Sequence, residues 1–368
     1  MGSAVIQYHF AMLFALTFAA ASVLSSPCLS ATPECTEWLR PAGESSRVLV
    51  YRTNSLATRN EKITRAFVFV HGIKRDADNH FRTALAAAFL AGALEDTVIV
   101  APRFASNSGT PGSQPGKCGD TLALDEANWV CDAQRPDSWR AGGARVGGKI
   151  GSFEFMDEIL RRLAQKCVFP NLKTIVIAGH SAGGQFVSRY GMLNQTHDTC
   201  GVPVSYIVSN PSSYAYLDGL RPTASALSEN RSAVAPGYVP PTPAVPLPPF
   251  APYADSKNCA GYDTWPYGLE GRSGYGSTLT RDEIKKQLVA RPMTYLLGET
   301  DILPVGVFDV SCPAMAQGPT RLGRGLAFSR YLRELHGAKH ATIVVPFCGH
   351  SARCVFTADV ALPLMFPK

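Results

Sequence analysis

The stretch that decides the fold reads TIVIAGHSAG and spans residues 174–183. Its first half is a β-branched apolar run, which predicts a buried strand, and the residues that follow it to Tyr190 have the pattern of a helix. Between them, Gly179 to Gly183 match the pattern G-x-S-x-G. In this context a tight, strained turn lifts the Ser181 hydroxyl out at the carboxyl edge of a sheet. A purely structural Gly-Ser turn is the alternative, which the strand-turn-helix context disfavours.

Comparable apolar runs recur along the chain and indicate a parallel sheet. They occupy residues 48–51, 66–70, 98–101, 204–208, 293–297 and 341–345. Strands this uniformly apolar are covered on both faces by helices. Helical patterns lie between them, one expected to be capped by Ser152 and another opened by a capping box over Thr280 to Glu283. The expected fold class is therefore α/β, a doubly wound sheet with helices on both faces.

A serine hydroxyl is a poor nucleophile near neutral pH, so Ser181 needs a base that is held by an acid. The candidates for the base are the histidines that follow Ser181 in the chain: His197, His336, His340 and His350. The best of them is His350, because it follows the last apolar run and so reaches the same sheet edge as Ser181. His336 and His340 precede that run, and we expect them at the opposite edge, in solvent.

The acid that orients His350 is expected to be Asp301. It follows the apolar run 293–297, which places it at the same carboxyl edge. Asp309 is the second candidate and Asp218 the third, and Asp301 as a simple turn residue stays open as an alternative.

Two backbone amides are candidates for binding a developing oxyanion beside Ser181. The Ala182 N–H lies at the start of the helix that follows the serine. The Ile73 N–H follows His71-Gly72 at the end of the run 66–70. We expect His71 itself to pack or hydrogen-bond locally.

Over residues 47–368 the chain resembles the α/β-hydrolase superfamily. The motifs that carry the resemblance are His71-Gly72, Gly179-His180-Ser181-Ala182-Gly183, Gly298-x-x-Asp301 and His350, in the family's order Ser, Asp, His. The resemblance implies a mostly parallel eight-stranded sheet, a Ser181–Asp301–His350 triad, and Ile73 and Ala182 as oxyanion amides. It further implies a secreted, esterase- or lipase-like serine hydrolase.

The composition of the chain argues against several other classes of protein. The chain has 368 residues, is 46% hydrophobic and carries a net charge of +6 that is not gathered into basic runs. This pattern argues against global disorder and against a nucleic-acid binder. No zinc-type Cys/His spacing and no Gly-rich phosphate loop is present, so we expect neither a metal nor a cofactor.

The N-terminal residues predict a secreted protein, extracellular or periplasmic. Phe10 to Leu24 is an apolar run of 15 residues, which suits a signal peptide ending near residue 26 and is shorter than the ~20 residues of a spanning helix. An uncleaved membrane anchor is the alternative; no other stretch of the sequence is expected to span a bilayer.

Ten cysteines accord with an oxidising compartment. The expected pairs are Cys28–Cys35, Cys118–Cys131, Cys167–Cys200, Cys259–Cys312 and Cys348–Cys354, although sequence alone leaves the connectivity open.

Residues 27–368 are expected to form one domain with two long segments that interrupt the strand-helix alternation. Residues 104–148 contain Trp129 and Trp139, and residues 218–291 form an insertion with eight prolines between Pro236 and Pro252. We interpret the insertion as a cap or lid, with a surface linker as the alternative. Aromatic residues of both segments are expected either to line and cover a substrate pocket or to pack the loops on the body: Trp129, Trp139, Phe250, Tyr253 and Trp265.

The function predicted from these residues is hydrolysis of small-molecule or polymer-derived carboxylic esters through an acyl-enzyme. An amidase, peptidase or acyltransferase would use the same residues, and a non-catalytic binding protein of the same fold is a further alternative. The oligomeric state is not predicted.

Overall fold

A central sheet organises the molecule, whose computed structural model describes residues 1–2, 26–107, 118–223 and 250–367. The strands are β1 (Thr36–Leu39), β2 (Val48–Arg52), β3 (Arg65–Val70), β4 (Thr97–Pro102), β5 (Thr174–His180), β6 (Val204–Ser209), β7 (Leu220–Pro222), β8 (Phe250–Pro252), β9 (Met293–Gly298) and β10 (Ala341–Val345). Eight of them form one sheet in the order β1-β2-β4-β3-β5-β6-β9-β10. Within this sheet only the pairs β1-β2 and β2-β4 are antiparallel, which confirms the mostly parallel, eight-stranded sheet.

Helices cover both faces of this sheet. They are α1 (Ala77–Leu90), α2 (Ser152–Leu163), α3 (Ala182–Leu193), α4 (Arg281–Ala290), α5 (Cys312–Met315), α6 (Arg321–His336), α7 (Ala352–Phe356) and α8 (Leu362–Met365). Among the described residues, no helix has the length and apolar character needed to cross a membrane.

Alternate side chains of the strands enter two separate hydrophobic cores. In β3, Val68 and Val70 face the core that contains residues of α2, α3 and α6, whereas Phe67 and Phe69 face the core that contains residues of α1 and α7. This alternation explains why the strands read as continuous apolar runs. Because β5, β6, β9 and β10 are parallel, the residues that follow them meet at one edge of the sheet.

Two helix starts test the expected caps. Helix α4 has the predicted capping box, in which the Thr280 hydroxyl accepts from the Glu283 N–H and the Glu283 carboxylate accepts from the Thr280 N–H. At α2 the prediction was wrong by one residue, because Gly151 is the N-cap and Ser152 is the first helical residue. The Ser152 hydroxyl instead donates to the Trp139 carbonyl oxygen at 2.6 Å, and so fastens the long loop to the helix.

Four of the five expected disulfides are present: Cys28–Cys35, Cys118–Cys131, Cys259–Cys312 and Cys348–Cys354. The fifth expectation was wrong, since Cys167 and Cys200 are free. Both precede neighbouring strands, but the segment that contains Cys167 turns toward β3, on the side of β5 away from β6. There the Asn60 N–H donates to the Val168 carbonyl oxygen at 2.8 Å, and the Asn171 side chain donates to Glu61.

The insertion at 218–291 is described only in part. Strands β7 and β8 pair antiparallel at the two ends of the undescribed residues 224–249, which hold most of the prolines. The described part is joined to the body by the disulfide between Cys259 and Cys312 and by a hydrogen bond from Trp265 Nε1 to the Ala141 carbonyl oxygen, 3.0 Å long. Nearly all of the expected signal peptide, residues 3–25, also lies outside the described residues.

Candidate active site

Ser181 occupies a one-residue turn between β5 and α3. Its φ of 58° and ψ of −116° lie in a region that L-residues rarely adopt, so the surrounding structure must enforce the turn. The neighbouring glycines make this possible. A Cβ on Gly179 would lie 2.2 Å from the Gly183 carbonyl oxygen, and one on Gly183 would lie 2.2 Å from the Val70 carbonyl oxygen. The turn therefore packs against both β3 and its own helix.

The Ser181 hydroxyl lies 2.9 Å from His350 Nε2. His350 follows β10 in a short loop that the Cys348–Cys354 disulfide closes. Its other ring nitrogen, Nδ1, lies 2.7 Å from Asp301 Oδ2. A carboxylate only accepts, so the Nδ1–H donates to Asp301, which leaves the Nε2 lone pair to accept the proton of the serine hydroxyl. The three residues thus form one continuous hydrogen-bonded line.

Asp301 is buried at the carboxyl end of β9 and is held by three donors. Besides His350, the Asn210 side-chain amide donates to Oδ2 at 2.6 Å, and Arg321 Nη1 lies 3.4 Å from Oδ1. Sequence reasoning missed both partners. Asn210 follows a strand at the expected edge, which is a usable signal, whereas Arg321 begins a helix with nothing in its sequence context to connect it to Asp301.

The two other acid candidates lie elsewhere. Asp309 is buried, accepts a 2.6 Å hydrogen bond from the Tyr267 hydroxyl, and thereby joins the insertion to the loop after Asp301. Asp218 lies 3.7 Å from His336.

The expectation that His336 and His340 are solvated was wrong, because both are largely enclosed. His336 packs edge-on against Tyr331, and His340 Nε2 lies 2.8 Å from the Leu288 carbonyl oxygen. Burial lowers the pKa of each histidine.

Two buried arginines of α6 hold the loop between Asp301 and Asp309. Arg321 donates from Nη2 to the carbonyl oxygens of Val305 and Val307, each at 3.1 Å. Arg324 donates to the Asp309 carbonyl oxygen at 3.0 Å and also contacts the carbonyl oxygen of Ser212. Asp301, which faces His350, is therefore held in two ways. Its carboxylate accepts from direct donors, and the loop that follows it is bound by Arg321 and Arg324.

The candidate oxyanion amides flank Ser181. Ala182 is the first residue of α3, where N–H groups have no intrahelical acceptor. On the other side, a Cβ placed on Gly72 would lie 3.9 Å from the Ser181 Cβ, so the segment that leads into Ile73 passes directly beside the serine.

Arg75 holds that segment in place by donating hydrogen bonds to two of its carbonyl oxygens. Its Nη1 donates to the Ile73 carbonyl oxygen at 2.6 Å, and its backbone N–H donates to the Gly72 carbonyl oxygen at 3.1 Å. The guanidinium is itself held by Asp120 at 2.5 and 3.1 Å, and Asp120 also accepts from the Ser106 N–H. This ion pair was not predicted, because its members are separated along the chain by the whole of α1 and β4.

Two further histidines near Ser181 are buried and neutral. His71 Nε2 accepts a hydrogen bond from the Phe104 N–H at 2.9 Å, and burial lowers the pKa of His71 to about 3. His71 therefore packs and hydrogen-bonds locally, as we expected. His180 packs its ring 4.7 Å from that of His350, and burial holds the pKa of His180 well below its usual range.

The tryptophans of the long loop belong to the core. Trp129 and Trp139 are fully buried and pack around Phe104, with Trp139 stacked at 5.5 Å. Trp265 is buried too, held by its bond to Ala141. Of the two interpretations left open for these residues, packing of loops on the body is therefore correct.

Comparison with solved structures identifies the fold. A crystal structure of LpqC, a poly(3-hydroxybutyrate) depolymerase from Bordetella parapertussis, is 21% identical over 89% of this chain and 86% of its own, with a TM-score of 0.52. Poly(aspartic acid) hydrolase-1 from Sphingomonas sp. KT-1 is 18% identical over 90% of this chain and 97% of its own, with a TM-score of 0.53. No family model and no curated protein matches the chain. The protein has the α/β-hydrolase fold, and at these identities the likeness identifies the fold alone.

Proposed function

We propose that the protein is a serine hydrolase that cleaves carboxylic esters through an acyl-enzyme. The observation that carries the proposal is the continuous line of hydrogen bonds from the Ser181 hydroxyl through His350 to Asp301, 2.9 and 2.7 Å long. A non-catalytic binding protein has no need of a strained serine aligned with a base and a buried acid.

The proposed reaction has two halves. His350 Nε2 takes the Ser181 proton as the serine oxygen attacks the ester carbonyl, and the resulting imidazolium gives that proton to the departing alcohol. Water then attacks the acyl-serine, with His350 again accepting and returning a proton, and releases the acid. Asp301 holds the ring in the tautomer with Nδ1 protonated and stabilises its positive charge.

The proposed oxyanion donors are the N–H groups of Ile73 and Ala182. They belong to different elements, the segment after β3 and the first turn of α3, that flank Ser181. Donors fixed by the backbone need no rearrangement as charge develops on the carbonyl oxygen.

Two alternative classes of substrate, esters and amides, differ in the bond that the enzyme would cleave. A poly(3-hydroxybutyrate) chain is linked by esters, and a poly(aspartic acid) chain by amides, so the two similar structures differ in the bond that their names imply. We propose esters, small or polymer-derived, as the substrate class. Matched 4-nitrophenyl ester and 4-nitroanilide substrates of the same acyl group test it, since an amidase would turn over both.

We also propose that the protein is secreted, extracellular or periplasmic. Four disulfides fit an oxidising compartment, in accord with the apolar N-terminal run. The N-terminal sequence of the protein recovered from culture medium or periplasm tests this proposal; a chain that starts at Met1 in the membrane fraction would contradict it.

A fluorophosphonate probe tests the proposed serine chemistry directly. We expect one probe molecule per protein, with the label on the peptide that contains Ser181. Heat-denatured protein is the control, because the hydroxyl is reactive only beside His350. Absence of labelling, or labelling at another residue, would refute the proposal.

The Arg75 anchor leads to a prediction about the oxyanion segment. We expect Arg75→Met to lower kcat/KM about tenfold or more, because the Ile73 amide loses its fixed direction. A trifluoromethyl ketone, which mimics the tetrahedral intermediate, should bind more weakly by a similar factor while KM stays unchanged. Arg82→Met, at an exposed helix position paired with Asp78, is the matched control and should leave both quantities unchanged. Unaltered inhibitor affinity in Arg75→Met would contradict the proposed role.

A further inference from the structure

Asn210 is the residue immediately after β6 and is almost fully buried. Its backbone has φ of 46°, in the left-handed region that asparagine and glycine tolerate best. The conformation turns the chain sharply at the sheet edge and places the side chain between the ends of the two strands that follow in the sheet.

The Asn210 amide joins three segments. Its Nδ2 donates to Asp301 Oδ2 at 2.6 Å and lies 3.4 Å from the Gly349 carbonyl oxygen, and its Oδ1 accepts from the Gly298 N–H at 2.9 Å. One planar group therefore ties the end of β6 to the end of β9 and to the loop that holds His350.

The fit at this junction is tight. A Cβ on Gly298 would lie 3.1 Å from Asn210 Nδ2 and 2.5 Å from the Cys348 carbonyl oxygen. Only a side chain with a donor and an acceptor on one short planar group satisfies both the Gly298 N–H and the Asp301 carboxylate. A leucine would leave the Gly298 N–H unpaired and would remove one of the three donors to the Asp301 carboxylate, and an unpaired buried polar group is costly.

The donor from Asn210 falls on the same carboxylate oxygen, Oδ2, that receives the His350 Nδ1–H. Arg321 approaches the other oxygen, Oδ1. Donors at both oxygens fix the rotation of the carboxylate plane, and so fix the direction in which Oδ2 faces the imidazole.

The other groups that face Asp301 include one positively charged side chain, Arg321. They are the His350 ring, the Arg321 guanidinium and Tyr214, whose pKa is raised well above its usual range mainly by burial, with Asp301 contributing. Asn210 adds a donor without adding a second positive charge beside Arg321 that would compete with the imidazolium for the carboxylate.

We propose that Asn210 is a positioning residue that acts through Asp301 to hold His350 in line with Ser181. The proposal rests on the proposed function. It predicts that the contribution of Asn210 to turnover exists only while residue 301 is an aspartate.

A double-mutant cycle tests this dependence. Asn210→Gly removes the side chain and keeps the left-handed backbone, and we expect it to lower kcat about 10²-fold at unchanged KM, as expected for a misplaced catalytic group. In the Asp301→Asn background, the same change should alter kcat by less than about twofold, because the group through which Asn210 acts is gone. An equal loss in both backgrounds would mean a structural role only, and would overturn the inference.

The control is Asn194→Gly. Asn194 is another buried asparagine, at the far end of α3 from Ser181, and its amide donates to the Tyr206 hydroxyl at 2.9 Å. We expect it to lower the unfolding temperature without changing kcat of the folded protein. A comparable fall in kcat in this variant would also overturn the inference, because the loss at Asn210 would then not be specific.

If Asn210→Gly yields no folded protein, the same cycle uses the isosteric Asn210→Asp. With Asp301 in place, two carboxylates would face each other across 2.6 Å, which is strongly unfavourable, and kcat should fall. In the Asp301→Asn background that repulsion is absent, so the loss should vanish. Equal effects in both backgrounds would again refute the role of Asn210. Full activity in Asp301→Asn alone would overturn the inference by removing Asp301 as the acid, whereas absence of fluorophosphonate labelling at Ser181 is the result that would refute the proposed function.

Discussion

Ser181→Ala is expected to lower kcat/KM for an activated ester by about 10⁶-fold, which is the loss produced by removing a serine nucleophile that acts as a unit with its base. The change deletes one oxygen atom and leaves the backbone turn in place, because alanine has the same Cβ. The remaining rate would come from the oxyanion donors and from substrate binding. Initial rates at high protein concentration, with an active-site titration of the wild type, measure the difference.

Ser188→Ala is the matched control for this result. Ser188 is buried on the same helix, α3, so its loss tests the effect of deleting a hydroxyl from that element. We expect wild-type turnover in Ser188→Ala and closely similar unfolding temperatures in both variants. Turnover in Ser181→Ala within about tenfold of the wild type would exclude Ser181 as the nucleophile.

Asp301→Asn is expected to lower kcat by about 10⁴-fold with the fold intact, the size of loss seen when the acid of a serine-histidine-aspartate triad is replaced by its amide. The asparagine can present its NH₂ group to His350 Nδ1, which would then have to accept and leave the proton on Nε2. In that tautomer the ring cannot take the Ser181 proton. Asp301 also faces Arg321, so the unfolding free energy should be measured in parallel to separate stability from catalysis.

Asp309→Asn is the decisive comparison, because it makes the same change at the other acid candidate. Asp309 accepts from the Tyr267 hydroxyl and the Ser311 N–H, and an asparagine oxygen can still accept one of these bonds. We expect a lower unfolding temperature and nearly unchanged kcat. The opposite pattern, with full activity in Asp301→Asn and loss in Asp309→Asn, would assign the acid to Asp309.

The positions of Ser181, Asp301 and His350 could be expected from sequence because each follows an apolar strand. In a parallel sheet the carboxyl ends share one edge, so residues that follow different strands and are far apart in the chain lie at the same edge. The turn at Ser181 adds a local constraint, since the close approach of Gly183 to Val70 leaves no room for a side chain at residue 183. Such constraints appear in the sequence as residue types at fixed spacing.

The place of Asn210 after a strand was a usable signal, but the pairings of the supporting residues could not be predicted, because they depend on loop paths. Asn210 lies 91 residues from Asp301 and Arg75 lies 45 residues from Asp120, and no spacing rule connects either pair. The wrong pairing of Cys167 with Cys200 has the same origin. Adjacent strands suggested adjacent cysteines, but the loop before β5 bonds with residues 59–61 on the other side. For Trp129 and Trp139, aromatic character indicated burial without indicating whether a ligand or the protein surrounds the ring.

The free thiol of Cys167 offers a reactive group at a known position, near the amino end of β5. Cys167 is exposed and precedes β5, whereas Ser181 follows the same strand, so the two lie toward opposite ends of β5, which is about 20 Å long. The remaining free thiol, Cys200, is only partly exposed. A maleimide-coated support would therefore capture the protein by the sheet edge opposite the serine. The edge that holds Ser181 would then face outward, toward a film or particle too large to diffuse to it.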